Sequence, residues 1–187
     1  MLHQLSLKMS KHIVSHASIL KEDQVDTIRY AIETLLGELS KFVLLWSFFF
    51  SLHLDHLFLM AFMIFSCIRV VAGGFHFSTY LSCLIGSFVM YTVIIMSTQF
   101  ILLTSYSKIL LIVLSVIILY VFAPVIPLNR YEHNKGSILR KRLQTAVMVM
   151  ILFVFALYTN QIQLFTLSLF VFALQLFIGG IKHEKLL

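Results

Sequence analysis

Six long apolar segments dominate this sequence of 187 residues and restrict the folds that it can adopt. A helix of roughly 17–25 apolar residues crosses a bilayer, where only helices and closed barrels satisfy their own backbone. The second segment is short for a span, so we expect it to continue into a broken or re-entrant end at Gly73 and Gly74. The segments lie near residues 39–54, 57–71, 79–103, 107–123, 143–159 and 162–181.

The composition excludes an ordinary water-soluble domain. Hydrophobic residues make up 60% of the chain and charged residues only 12%, whereas soluble domains are about 45–50% apolar and about 25% charged. A globule of this length in water could not bury so many large side chains. We therefore predict an all-α fold: a single-domain, polytopic membrane helix bundle over residues 1–187, with about six transmembrane segments.

The N-terminal region has a different pattern. Apolar residues recur there at the three- and four-residue spacing of a helix, with polar residues on another face, which predicts an amphipathic helix on the membrane surface. We assign residues 1–38 to this cytoplasmic helical region, 39–181 to the bundle and 182–187 to a cytoplasmic tail. The apolar positions are Leu2, Leu5, Met9, Ile13, Ala17 and Leu20.

Basic residues predict the orientation, because cytoplasmic loops carry an excess of Lys and Arg. With the N-terminus in the cytoplasm and six spans, all 14 Lys and Arg residues except Lys108 fall on the cytoplasmic side. Both termini and the segment around Gly73 are then cytoplasmic.

The net charge of +6 also limits the partners. The positive charges flank apolar spans and do not form an aromatic-interleaved patch, so nucleic acid is not an expected partner. Anionic lipid headgroups and acidic peptide segments fit better.

A polar island, "RVVAGGFHFSTYLSC", interrupts the apolar segments from Arg69 to Cys83. Gly73 and Gly74 are predicted to end one helix, because glycine readily takes positive φ. Ser78 or Thr79 is predicted to cap the next helix by accepting backbone N–H groups.

His76 and Cys83 are the reactive side chains of this island. On one continuous helix they would lie about 10 Å apart along the axis, but a chain turn at the glycines lets His76 fold back toward Cys83. A thiol at a helix start and beside an imidazole is typical of a nucleophilic cysteine. A small packing cysteine and a solvated histidine would produce the same spacing, so the spacing alone leaves both readings open.

The island resembles the signature of the accessory gene regulator B (AgrB) family, bacterial membrane cysteine endopeptidases that process the precursor of a quorum-sensing peptide. The "YAIETLLGELSK" stretch before the first span and the "AP" after the fourth are also similar to that family. The signature residues are Arg69, Ala72, Gly73, Gly74, His76, Thr79 and Cys83.

The resemblance implies a function. Cys83 matches the family's nucleophile and His76 its general base, which cleave an AgrD-like precursor through a thioester. An internal cysteine or serine of the peptide then closes a thiolactone or lactone ring. The implied location is the bacterial cell membrane, with the active site at the cytoplasmic face. From the residues alone, the alternative is a non-catalytic membrane exporter or scaffold for a small peptide.

Arg140, Lys141 and Arg142 form a basic cluster before the fifth apolar segment. Such clusters usually set topology, but this one could also bind the acidic tail of the precursor. The preceding loop, "VIPLNRYEHNKGSILRKR", departs from the family because it contains fewer lysines.

Three further residues are candidates for a supporting role. Arg69 could meet lipid phosphate, pair with a substrate carboxylate or orient the loop. Glu38 could pair with Lys41 or orient His76. Ser87 lies one turn after Cys83 on the same helical face, and could donate near the oxyanion or bond its own backbone.

No metal or other cofactor is expected. Cys67 is interpreted as a packing residue, and His53, Asp55 and His56 as a solvated loop, since two histidines and one carboxylate are a weak metal signal. A haem protein is a distant alternative, because the eight histidines show no paired placement. Membrane lipid is an expected partner, and the sequence leaves a homodimer open.

Overall fold

The computed structural model of the chain describes residues 7–10, 12, 25–73, 79–123 and 135–184. Six long helices lie in these ranges, and no strand occurs in them. Residues 7–10 and 12 are helical, but most of the predicted amphipathic helix lies outside the described residues. The long helices are α1 (Val25–Ser51), α2 (Asp55–Ala72), α3 (Tyr80–Phe100), α4 (Ser105–Phe122), α5 (Lys135–Tyr158) and α6 (Ile162–Glu184).

Each long helix contains at least 18 residues that are apolar enough to cross a membrane. Large apolar side chains are exposed along them; on α4 these include Leu110, Val113 and Ile117. Such a surface would be unstable in water but is the normal surface of a helix in lipid. The predicted all-α bundle with six apolar helices is confirmed.

The first helix begins earlier than the apolar segment predicted at 39–54. Helix α1 starts at Val25, and its apolar part runs from Ile28 to Ser51. The sequence assigned the residues up to Glu38 to the more polar, cytoplasmic helical region. In the structure the Lys41 ammonium donates to the Glu38 carboxylate over 2.6 Å. Because the two charges pair on one helix face, they do not end it.

The chain forms two compact units, Met1–Leu52 and His53–Leu187. In the first unit, helix α1 carries a second ion pair, between Arg29 and Asp26, at 3.4 Å. The second unit contains helices α2 to α6 and all of the predicted signature.

Helix α6 is the centre of the second unit, since it packs against α2, α3, α4 and α5. Its inward side chains are completely buried, including Leu164, Leu169, Phe172 and Leu176. An aromatic group ties three helices together at this centre. Phe65 of α2 contacts Phe172 of α6 edge-to-face at 4.9 Å and Tyr91 of α3 at 5.8 Å.

Contacts between helices show which ends lie together. Gln163 at the start of α6 reaches the end of α3, so these two helices are antiparallel. Phe122 at the end of α4 meets Phe177 near the end of α6. Arg142, near the start of α5, bonds the carbonyl of Ala123. One end of this unit therefore holds the end of α2 and the starts of α3 and α5; we call it the signature end.

The charges of the second unit are divided between its two ends. Arg69, Arg140, Lys141 and Arg142 lie at the signature end, whereas Lys108 lies in the first turn of α4, at the opposite end. The predicted orientation in the membrane depends on this separation of Lys108 from the other basic residues.

Gln163 fastens α6 to α3. Its side-chain amide donates to the carbonyl oxygen of Thr98 over 3.0 Å and also to that of Ile101. The last carbonyls of a helix have no intrahelical donor, and an unsatisfied carbonyl is costly in an apolar surrounding. One amide thus satisfies two carbonyls at the end of α3.

Replacing Gln163 with leucine should destabilise the bundle by about 1–2 kcal/mol, because both carbonyls lose their donor. The measurement is unfolding of the purified protein in mixed micelles with increasing denaturing detergent. Gln99→Leu is the control, because Gln99 is exposed on α3 beside the same helix end. Equal stability of the two variants would contradict the assignment.

Candidate functional site

The signature begins where α2 ends. Gly73 follows Ala72 with φ 78° and ψ −164°, a backbone region that only glycine occupies readily. Its N–H donates to the Arg69 carbonyl over 2.9 Å. The helix end predicted at Gly73 is confirmed. Gly74, His76 and Ser78 lie outside the described residues.

Thr79 starts the next helix. Its backbone is extended, and its hydroxyl oxygen accepts from the Ser82 N–H over 3.3 Å. The Ser82 hydroxyl also lies 2.8 Å from the Thr79 hydroxyl. This is the N-cap that the sequence predicted for Ser78 or Thr79. The start of α3 is therefore fixed by side chains of the signature itself.

Cys83 occupies the first complete turn of α3. Its N–H donates to the Thr79 carbonyl over 3.1 Å, and the residue is only 8% exposed. Helical side chains lean toward the N-terminus, so the Cys83 thiol is carried toward the capped end of α3. Burial limits the access of water to this thiol.

The other cysteine is placed differently. Cys67 is half-buried on α2, about 7.5 Å along the axis before the end of that helix. Neither Cys67 nor Cys83 is in a disulfide. The structure thus distinguishes a cysteine at a helix start from one inside a helix.

The predicted supporting residues divide between the two units. Arg69 is half-buried in the last turn of α2, and Ser87 is half-buried on α3 one turn after Cys83. Glu38 belongs to the first unit, where it pairs with Lys41. The sequence left open whether Glu38 pairs with Lys41 or orients His76, and the ion pair agrees with the first interpretation. Roles for Arg69 and Ser87 in the chemistry stay predictions.

The three basic residues of the cluster, although adjacent in sequence, have different surroundings. Lys141 lines a cavity of about 640 Å³ together with Gly73. Arg142 lines a second cavity, between α4 and α5, and Arg140 is exposed. The sequence predicted a single basic cluster, because helical geometry alone does not show which neighbours each of these residues contacts.

The Gly73 cavity lies between the end of α2 and the middle of α5. Val70 and Val71 line it on the α2 side, and Val147 and Ile151 on the α5 side. Lys141 and Gln144 are its polar members. An apolar groove with a cation at one end fits a peptide segment that combines apolar and acidic residues.

Residues 53–56 form no metal site in the structure. His53 and His56 are exposed and Asp55 is half-buried at the start of α2. Among the residues that the structure describes, no three His, Cys, Asp or Glu side chains are grouped closely enough to hold a metal ion.

Comparison with known proteins identifies the family. The family model for Accessory gene regulator B matches residues 6–178. The chain belongs to the AgrB family. An AgrB-like protein of Clostridium beijerinckii is 32% identical over 139 residues, which cover 74% of this chain and 70% of that relative. No solved structure matches the chain significantly.

Membership of the AgrB family, together with six apolar helices, makes this a multi-pass membrane protein. It supports a role in the agr quorum-sensing system and a protease-like part in propeptide processing. In general, the substrate of this family is an AgrD-like propeptide. The resemblance drawn from the signature is confirmed at the level of the family.

Gly73→Ala tests the helix break. A Cβ at φ 78° and ψ −164° is strained, so we expect a loss of about 1–3 kcal/mol of unfolding free energy. Thermal unfolding in detergent measures it. Gly86→Ala is the control, because Gly86 lies inside α3, where alanine is favoured over glycine. If the two variants melt at the same temperature, Gly73 is not the strained position.

Proposed function

We propose that this protein is a membrane cysteine endopeptidase that cleaves an AgrD-like precursor, with Cys83 as nucleophile and His76 as general base. The observation that carries the proposal is the position of Cys83, buried one turn inside a helix whose start is capped by Thr79. Family membership supplies the class of substrate.

The start of a helix suits a nucleophilic cysteine. Unpaired N–H groups and the helix dipole stabilise negative charge there, and a thiolate is the nucleophilic form of cysteine. The same N–H groups can stabilise the oxyanion that forms when a carbonyl is attacked. At the start of α3, Thr79 accepts from the N–H of Ser82.

The proposed cleavage is an acyl transfer. His76 takes the proton of the Cys83 thiol, and the sulfur attacks the carbonyl carbon of the scissile peptide bond. The C–N bond breaks, the leaving amine takes the proton from His76, and the C-terminal tail departs. The N-terminal part of the precursor stays on Cys83 as a thioester.

Ring closure follows from the same intermediate. A thiol or hydroxyl inside the peptide attacks the thioester, gives its proton to His76 and releases the Cys83 thiol as the lactone or thiolactone forms. The thioester keeps the acyl group reactive, so the ring-closing exchange needs no separate activation step. Exclusion of water favours this outcome over hydrolysis, and the burial of Cys83 provides it.

The Gly73 cavity is the proposed binding groove for the precursor. It reaches the signature at Gly73, and its apolar walls end at Lys141. An acidic tail is attracted to Lys141 and to the neighbouring Arg140, and Arg69 lies at the same end of the unit. Basic residues at the signature end also favour the cytoplasmic face as the location of the site.

Replacing Cys83 or His76 with alanine should abolish processing, because one variant lacks the nucleophile and the other the base. The assay follows precursor cleavage by the purified protein in liposomes. Cys67→Ala is the matched control and should cleave at the rate of the original protein. His76→Gln should also be inactive, since an amide keeps much of the size but accepts no proton.

Normal processing by Cys83→Ala would overturn the proposal. If the precursor then reached the outside of the liposomes uncut, the protein would be an exporter or scaffold. If all variants lost activity, Cys67→Ala included, the stability of each variant in denaturing detergent would show whether its fold had been damaged.

Lys141→Gln should raise KM for the precursor about three- to fivefold at low salt and change kcat little, because a partly exposed charge contributes roughly 1 kcal/mol or less to binding. The difference from the original protein should shrink as salt rises, since salt screens it. Lys108→Gln, at the opposite end, is the charge-matched control. An effect on kcat alone would exclude a tail-binding role.

A further inference from the structure

We propose that the cavity between α4 and α5 is a binding site for one anionic phospholipid, with the phosphate at Arg142 and an acyl chain along the groove. The cavity measures about 320 Å³. It is separate from the Gly73 cavity, and nothing in the proposed peptidase mechanism uses it.

The groove exists because α4 and α5 both pack on α6 and leave a gap between themselves. Phe165 of α6 forms part of its lining and is completely buried. The larger apolar side chains of the lining come from the two flanking helices: Ile112, Val116, Leu119, Val149, Met150 and Phe153. Val116 and Met150 are themselves exposed, so the groove opens sideways toward the surrounding lipid.

Arg142 is held in place at one end of the groove. Its Nε donates to the Ala123 carbonyl over 3.1 Å, and its guanidinium lies 5.3 Å from the centre of the Tyr120 ring. Arginine has five N–H donors, and within the described part of the chain Arg142 uses one of them, in its bond to Ala123. The two terminal nitrogens keep four donors, which is the fork that binds a phosphate in a bidentate manner.

The length of the groove matches one leaflet of a bilayer. From Ala123 to Ile112 on α4, and from Arg142 to Phe153 on α5, the lining extends over about 16 Å. Half of the hydrocarbon core is about 15 Å. A chain anchored by its phosphate at Arg142 would therefore end near the bilayer midplane, where the lining ends.

These features together favour a phospholipid over other occupants. The groove has a single strong cation at its end and otherwise nearly continuous apolar walls, which is the charge pattern of an anionic amphiphile. The Gly73 cavity offers a peptide both Lys141 and Gln144, whereas here the Thr145 hydroxyl is already bonded to the Lys141 carbonyl. An extended peptide would therefore bring a row of backbone N–H and C=O groups against walls with few partners for them. The phosphate end also coincides with the basic signature end, where the headgroups of one leaflet lie.

The test is native mass spectrometry of the full chain, released from nanodiscs that contain phosphatidylglycerol and phosphatidylcholine in equal amounts. We expect one retained phosphatidylglycerol. Arg142→Gln should weaken retention about tenfold or more, as the loss of a charge-assisted bidentate contact implies. Arg140→Gln is the matched control, because it removes the same charge from an exposed residue outside the groove.

A second variant tests the groove independently of charge. Ala146 also lines the cavity, so Ala146→Trp should fill it and prevent retention of either lipid while Arg142 is intact. Circular dichroism in detergent verifies that each variant is folded; a variant that fails this check is replaced by Arg142→Lys or Ala146→Phe.

Three results would overturn the site: equal retention of both lipids, equal losses in Arg142→Gln and Arg140→Gln, or unchanged retention in Ala146→Trp. None of these results bears on Cys83, because the assay contains no precursor and measures no cleavage.

Discussion

The peptide groups at helix ends need partners in an apolar surrounding, and the second unit of this protein depends on how they are satisfied. Thr79 and Thr104 cap the starts of α3 and α4 through the same contact, with the N–H three residues on. Gln163 donates to carbonyls at the end of α3. Arg142 donates to the carbonyl of Ala123, the residue that follows α4. Each of these four side chains supplies a partner that the helix end itself lacks.

The break at the signature shows how this constraint creates a site. Gly73 lets the chain leave α2 in a conformation that other residues avoid, and Thr79 starts α3 with a cap. The chain between them therefore joins two fixed helix ends. Cys83 follows one turn later, already buried, so the proposed nucleophile is held by the same contacts that hold the helix.

The basic cluster shows a second consequence of helical packing. Lys141 and Arg142 are adjacent in sequence but about 100° apart around α5, so they meet different neighbours. Lys141 borders the groove that begins at Gly73, whereas Arg142 borders the one between α4 and α5. One short stretch of sequence can thus serve the substrate on one side and a lipid on the other.

Much of the fold and of the candidate site could be predicted from the sequence, since the length of an apolar segment, a glycine and a capping residue all act locally. The six apolar helices, the break at Gly73 and the cap at Thr79 are examples. The earlier start of the apolar part of α1, at Ile28, was not predicted, because the sequence does not show that Glu38 pairs with Lys41 within the helix. Gln163 was missed because its partners lie 62 and 65 residues away; a polar amide within an apolar run was the only signal.

The most direct test of the central claim is the intact mass of the protein during turnover of the precursor. The account predicts a transient adduct with the mass of the N-terminal cleavage fragment, released by hydroxylamine and mapped to the peptide that contains Cys83. Rapid cleavage with no adduct under conditions that trap thioesters, or an adduct on Cys67, would contradict it.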